Sequence, residues 1–333
     1  MTQARFDKLN ASLLTSDLDA VILNPGPTLK YLTGLSFHLM ERPVVLFFAK
    51  DQDPAIVLPE LELQKVVTLP YKLQVFAYGE NPSAWEDIFR KAAQALGLDG
   101  KRIGVEPRQL RLLEFQYVKG GAPEADYPDA GDVLAGLRLR KEQAEVEAMR
   151  KAVRIAQSAL EAVIPLIKIG MTEKELSSEL VMQLLKHGSE PEMPFAPIVS
   201  GGPNSANPHA SPTERKLQAG DLLVVDWGAA YDGYISDLTR TFAVGEVDEE
   251  YRKIHKIVQE SNAAGRAAAK AGVPCANVDN AAREVIEKSG YGKYFTHRTG
   301  HGIGMEGHED PYMRGDNMQI LEPGMAFTVE PGI

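Results

Sequence analysis

The chain has 333 residues, enough for two domains and more than one ordinary hydrophobic core serves well. Its 46 acidic residues outnumber 36 basic ones, and a net charge of -10 argues against nucleic acid or an anionic membrane as partner, since both select basic surfaces. Cys275 is the only cysteine, the charged N-terminus lacks a signal-like apolar core, and no apolar run reaches the ~18–20 residues of a bilayer span, so a cytoplasmic protein without disulfides is expected.

Residues 1–127 read as a small α/β domain. The apolar runs DAVILN (19–24), PVVLFFA (43–49) and AIVLP (55–59) are bounded by turn residues, as strands are. SAWEDIFRKAAQALG (83–97) has helical spacing, with Ser83 as the expected N-cap and Gly97 as a stop. RIGVE (102–106) returns to strand and RQLRLLEFQYVKGG (108–121) to helix. The segment GGAPEADYPDAGD (120–132) has no apolar run, and the domain boundary is expected within it, at 127/128.

Residues 128–333 form the second expected domain. Val146, Met149, Val153, Ala156, Leu160 and Val163 recur at steps of three and four, which predicts a long helix with these residues facing the core. Thr172 and Glu175 make a capping-box pattern that opens a second helix, ending near His187-Gly188. Strands are expected at 197–200 and 222–228. The order then repeats: a long helix from about Asp248, a shorter one from about Asn277, and strands near 293–299 and 325–330. Two helices followed by strands, twice over, suggests an α+β domain of duplicated halves related by a pseudo-twofold axis.

The segment DLLVVDWGAAYDGYISDLTRTFAVG (221–245) reads as a hairpin turning at Asp232-Gly233. If Tyr231 pairs with Tyr234, Asp226 lies opposite Thr239, and Asp237 falls diagonal to Asp226 on the same face, roughly 7–8 Å away between backbones. Two carboxylates converging in this way can share one metal ion or bridge two ions ~3.5–4 Å apart. The plainer reading, solvent-facing hairpin aspartates, fits poorly with the apolar neighbours on both strands. A buried carboxylate pair without a cation would be strongly destabilising or would hold a proton.

THRTGHGIGMEGHEDP (296–311) places His297, His301 and His308, three of the seven histidines, among glycines that let a ligand come close. The spacing is not that of a zincin helix, and no cysteines are present to complete a structural zinc site. Glu330 ends an apolar run just before Pro331-Gly332, and His209 sits in the loop SGGPNSANPHASP (200–212). Each of these is weak alone. Taken together, Asp226, Asp237, Glu330 and one imidazole make an oxygen-rich donor set suited to Mn²⁺, Co²⁺ or Zn²⁺.

In that order NSANPH, DWG, SDLTRT, HRTGHGIG, HED and TVEPG resemble the motifs of the pita-bread metallopeptidases, and the added N-terminal α/β domain is similar to that of the prolidase and aminopeptidase P group. The resemblance implies a creatinase/prolidase-like N-terminal domain and a pita-bread catalytic domain. It implies two divalent ions, Mn²⁺ favoured, on Asp226, Asp237, His301 and Glu330. His209 would contact substrate or leaving group, His308 would stabilise the tetrahedral intermediate, and His297 would lie just behind the ligands and help bind substrate. A metal-bridging hydroxide would attack the peptide bond before proline, with Glu330 taking up its proton. Short proline-containing peptides would be the substrates and a homodimer the assembly. The family pattern carries a second bridging glutamate some twenty-odd residues further on, beyond Ile333, so the catalytic domain is expected to lack its C-terminal strands.

An Xaa-Pro dipeptidase must meet its substrate's free carboxylate, and Arg314 is the expected cation. An Xaa-Pro aminopeptidase acting on longer peptides is the alternative. More distant are a metal-free creatinase-like C–N hydrolase, which would leave the ligand set without a role, and a non-catalytic peptide-binding module, which would not need His209 and His308 intact.

Overall fold

The computed structural model describes residues 2–333 and divides into two compact units, Met1–Arg138 and Leu139–Ile333. In the first unit the expected apolar runs become β1 (Ala20–Leu23), β2 (Val45–Ala49) and β3 (Ala55–Pro59), every residue of them buried. Burial on both faces explains why these strands are continuously apolar and do not alternate. Around them the chain forms α1 (Thr2–Leu14) before β1 and α2 (Pro27–Thr33) after it. β4 (Gln74–Tyr78), α3 (Trp85–Ala95), β5 (Ile103–Gly104), α4 (Leu112–Gly121) and α5 (Gly131–Arg138) follow β3. The sheet order is β4-β3-β2-β1-β5, with β1–β2 and β2–β3 antiparallel and β1–β5 and β3–β4 parallel.

Two details differ from the sequence reading. Asn81, not Ser83, provides the cap: its Oδ1 accepts the Ser83 N–H at 3.1 Å and opens a short 3-10 turn that runs into α3. The units also divide after Arg138 and not at 127/128, because α5 belongs with the first unit. Its Leu134 and Leu137 are buried, and the Leu137 carbonyl accepts hydrogen bonds from Lys8 and Tyr31.

The second unit begins with α6 (Gln143–Val163) and α7 (Glu173–Lys186), the latter opened by the expected box of Thr172 and Glu175. The buried face of α6 is centred on Ala148, Ala152, Ile155 and Ala159. Val146, Met149 and Val153 lie on its half-buried margin. Alanine carries little weight in an apolar-pattern reading, yet here it lets the helix sit close to its neighbours. β6 (Ile198–Gly201), β7 (Asp221–Trp227), β8 (Ala230–Tyr231), β9 (Tyr234–Ile235) and β10 (Leu238–Val244) follow, with sheet order β10-β7-β6. The order then recurs in α8 (Glu249–Ala268), α9 (Cys275–Lys288), β11 (Gly300–Gly302) and β12 (Glu309–Met313). The paired helices match in length, 21 and 14 residues in the first half and 20 and 14 in the second.

The strand expected at 293–299 is instead a 3-10 turn, Gly292–Tyr294, and a loop. Segment 326–330 runs beside β11 by hydrogen bonds from Ile303 N–H to Ala326 O, Thr328 N–H to His301 O and Glu330 N–H to Thr299 O. Among the described residues no helix is long and apolar enough to cross a membrane.

Candidate metal centre

Asp232 and Gly233 both adopt left-handed backbone, φ 52° and 74°, as a tight two-residue turn requires. The register follows from it: Tyr231 faces Tyr234, and Asp226 faces Thr239. Along β7 burial alternates. Leu223, Val225 and Trp227 point into the core, and Asp226 shares the other face with Leu222 and Val224. Asp237 sits between β9 and β10, where the chain is drawn in so tightly that a Cβ on Gly228 would lie 2.0 Å from Ser236 O.

His301 arrives from β11, buried to 3% exposure. Its Nδ1 lies 3.0 Å from Gly302 O, an acceptor only, so Nδ1 carries a proton and Nε2 faces the carboxylates. Nε2 is 3.0 Å from Glu330 Oε1 and 3.6 Å from Asp237 Oδ2. Thr328 braces both partners: its hydroxyl accepts the His301 N–H at 3.0 Å and donates to Glu330 Oε1 at 2.9 Å. Gly300 permits this approach, since a Cβ there would meet Thr328 O at 2.0 Å.

Burial, the charges of Asp237 and Glu330, and proximity to each other raise the Asp226 carboxyl well above the usual carboxylate range; burial and Glu330 do the same to Asp237. Burial alone would raise Glu330 too, but the hydrogen bond and charge of His301, with Thr328 behind, hold it below its ordinary value. Burial would lower His301, and Glu330 outweighs it, so the imidazole sits above its ordinary value. Three carboxylates thus crowd one imidazole, and Asp226 Oδ1 is buried without a hydrogen-bond donor. Donor atoms of Asp237, His301 and Glu330 lie within 4.8 Å of one another. Excess negative charge, an unpartnered buried carboxylate oxygen and an imidazole nitrogen turned to the carboxylates together fit divalent cations.

His308 leans on His301, ring centroids 4.0 Å apart. Its Nδ1 is 3.2 Å from Arg298 Nη2, and the Arg298 guanidinium lies over the Tyr312 ring at 4.5 Å. Burial, then the charges of His301 and Arg298, lower the His308 pKa. His209 is exposed on the loop after β6, its N–H donating to Asn207 Oδ1, and is near enough for its charge to bear on His308. His297 packs edge-on against Phe295, and its charge bears on Glu330. Arg314 is exposed and ion-paired with Asp316, and among the described residues no hydrogen bond or ion pair links it to the cluster. The arginine that does reach the site, Arg298, was not among the sequence candidates. Its signal was that it is the sole cation in the glycine–histidine segment 296–309.

Residues 147–333 match the model of metallopeptidase family M24, and residues 5–140 that of the creatinase/prolidase N-terminal domain. The Xaa-Pro dipeptidase of Lactobacillus helveticus is 34% identical over 98% of this chain and 89% of its own length. A dipeptidase structure from Pyrococcus horikoshii OT3 is 36% identical, covers 98% of this chain and 90% of that one, and superposes with a TM-score of 0.91. A prolidase structure from Thermococcus sibiricus is 31% identical, with coverage of 99% and 89% and a TM-score of 0.93. The repeated helix–helix–strand layout of the second unit is accordingly the pita-bread fold.

Proposed function

We propose that this chain, which belongs to metallopeptidase family M24, hydrolyses the peptide bond preceding proline in Xaa-Pro dipeptides. The observation that carries the reading is the convergence of Asp226, Asp237, His301 and Glu330, with Asp226 Oδ1 buried and unpartnered. These four would hold the metal, with Mn²⁺ favoured by three oxygen donors to one imidazole and Co²⁺ or Zn²⁺ as the alternatives. When bound, divalent ions polarise the scissile carbonyl and lower the pKa of water.

The chain's own groups do the rest. Glu330, kept anionic by Thr328 and His301, accepts the proton of the attacking water. Arg298 has no acceptor to offer, so the contact at His308 Nδ1 makes that nitrogen the acceptor and leaves the proton on Nε2. His308 is therefore a neutral N–H donor suited to the oxyanion of the tetrahedral intermediate. His209, whose charge bears on His308, would contact substrate or leaving group, and His297, whose charge bears on Glu330, would help bind substrate. Arg298, stacked on Tyr312 and beside His308, would meet a dipeptide's free carboxylate in our reading, ahead of Arg314, whose guanidinium is paired with Asp316.

An Xaa-Pro aminopeptidase remains the second reading, since Arg298 also serves His308 and need not bind a carboxylate. A homodimer in a reducing cytoplasm completes the proposal, consistent with the buried free thiol of Cys275. The test is metal analysis with an Xaa-Pro hydrolysis assay on Asp237→Ala beside the parent. The variant is expected to lose both metal and activity, and unchanged values in both would sink the reading. A dipeptide compared with a tripeptide bearing proline second separates the two peptidases.

A further inference from the structure

The loop that carries His209 is exposed along residues 206–209, yet both of its ends are tied to one carboxylate. Glu173, the first residue of α7, is fully buried. At the loop's leading end the Gly201 N–H donates to Glu173 Oε1 at 2.7 Å. At its trailing end the Thr213 N–H and hydroxyl donate to Oε2 at 3.0 and 2.6 Å. Between them Asn204 Nδ2 reaches both oxygens at 3.1 Å.

This arrangement is not what α7 needs for itself. Its first turn is already capped by the reciprocal box of Thr172 and Glu175, so the oxygens of Glu173 are free to turn outwards to the loop. A second clamp lies beneath the same segment. Arg215 holds Asp221 through two hydrogen bonds of 2.7 and 2.8 Å, and Gly202, at φ +54°, leaves room for it, since a Cβ there would lie 2.5 Å from Asp221 Oδ1. Tying the loop's two ends together removes most of the freedom that a segment of this length would otherwise have. What remains exposed is the tip bearing His209.

We infer that Glu173 is a positioning residue for the reaction: by fastening both ends of the loop it presents His209 to the substrate beside His308. The inference rests on the proposed role of His209. Misplacing a substrate-contacting group by an ångström costs up to about 100-fold in rate. A residue that acts through another also leaves a signature in a double-mutant cycle that a merely structural one does not.

The experiment is steady-state kinetics on an Xaa-Pro dipeptide for the parent, His209→Ala, Glu173→Gln and Glu173→Gln/His209→Ala, each with metal content measured. Gln keeps the volume of Glu173 but sets an NH₂ against donors at one end of the loop. Glu173→Gln is expected to keep its metal and to lose about 10–100-fold in kcat/KM, in the same sense as His209→Ala, and the double variant to be no slower than His209→Ala. Losses that multiply in the double variant, or parental kinetics in Glu173→Gln, overturn the inference while leaving the role of His209 standing. Parental kinetics in His209→Ala overturns that role and the inference with it. Should Glu173→Gln fail to fold, Asn204→Ala, a half-buried change at the same clamp, completes the cycle with smaller losses expected in the same sense.

Discussion

Thr328 and Glu330 are joined through one oxygen: the Thr328 hydroxyl donates at 2.9 Å to Glu330 Oε1, the atom that lies 3.0 Å from His301 Nε2. The same hydroxyl accepts the His301 N–H, so one side chain orients two of the four metal donors. Groups that orient ligands in this way typically govern affinity by about 10–100-fold. Thr328→Val keeps the shape and removes both hydrogen bonds. It is expected to weaken metal binding by about that factor with the fold intact, as metal titration by calorimetry and circular dichroism will read. An unchanged affinity would show that Glu330 and His301 hold their places without it.

Asp226 gives a prediction of opposite sign for stability and activity. Its carboxylate is buried, carries one unpartnered oxygen, and is crowded by Asp237 and Glu330. Without a cation that crowding destabilises the fold, and neutralising one carboxylate relieves it. Asp226→Asn is expected to raise the thermal midpoint of the chelated protein above that of the chelated parent, while metal loading no longer adds stability and hydrolysis is lost. Ligand-linked stabilisation reaches roughly 4 kcal/mol at a thousandfold excess over Kd, so the parent's own shift on loading is readily measured. A chelated variant less stable than its parent would mean that the bond from Thr239 to the ionised carboxylate outweighs the crowding.

Much of this site was legible in the sequence because a two-residue turn sets a register that runs without slip from Tyr231 to Asp221. Once Asp232-Gly233 is recognised, Asp226 must face Thr239. The capping box at Thr172 and the long helices were legible for the same reason: their determinants lie within four residues of each other. What was not legible depends on contacts distant in the chain. Arg298 is a functional candidate only because residues 298, 308 and 312 are brought together by the β11–β12 hairpin, and the exposed pairing of Arg314 with Asp316 is equally invisible in a single sequence. The strand expected at 293–299 failed because short apolar patterns do not separate a strand from a 3-10 turn and loop. The division after Arg138 was missed because the tie of α5 to Lys8 and Tyr31 spans more than a hundred residues.

Lys141 and Glu309 form a buried ion pair at 2.5 Å, their side chains 1% and 7% exposed, and Glu309 is the residue after His308. Gly304 makes room for the pair, since a Cβ there would lie 2.5 Å from Glu309 Oε1. Breaking such a pair from one side leaves an uncompensated buried charge and costs about 3–5 kcal/mol, whereas replacing both members with apolar groups is often neutral. Lys141→Met is therefore expected to be strongly destabilised in urea unfolding, and Lys141→Met/Glu309→Leu to recover most of the loss. If the double variant is as unstable as the single one, the pair is needed for more than mutual neutralisation.

Glu173 links the loop clamp to pH. Burial alone would raise its carboxyl, but the hydrogen bonds from Gly201, Thr213 and Asn204 outweigh it and hold the group below its ordinary value. A carboxyl depressed in the folded state contributes stability that is fully present above the unfolded value, about 4.3 for glutamate, and is lost as pH falls through the folded one. Gln at this position does not titrate. The gap in thermal midpoint between the parent and Glu173→Gln is thus expected to be constant from neutral pH down to about 5 and to narrow below about 4.3. Melting curves of both proteins, chelated alike and recorded across that range, will show it. A gap that stays constant into the acid range would mean that the clamp does not depend on an ionised carboxylate, and that the loop is held at its ends by shape alone.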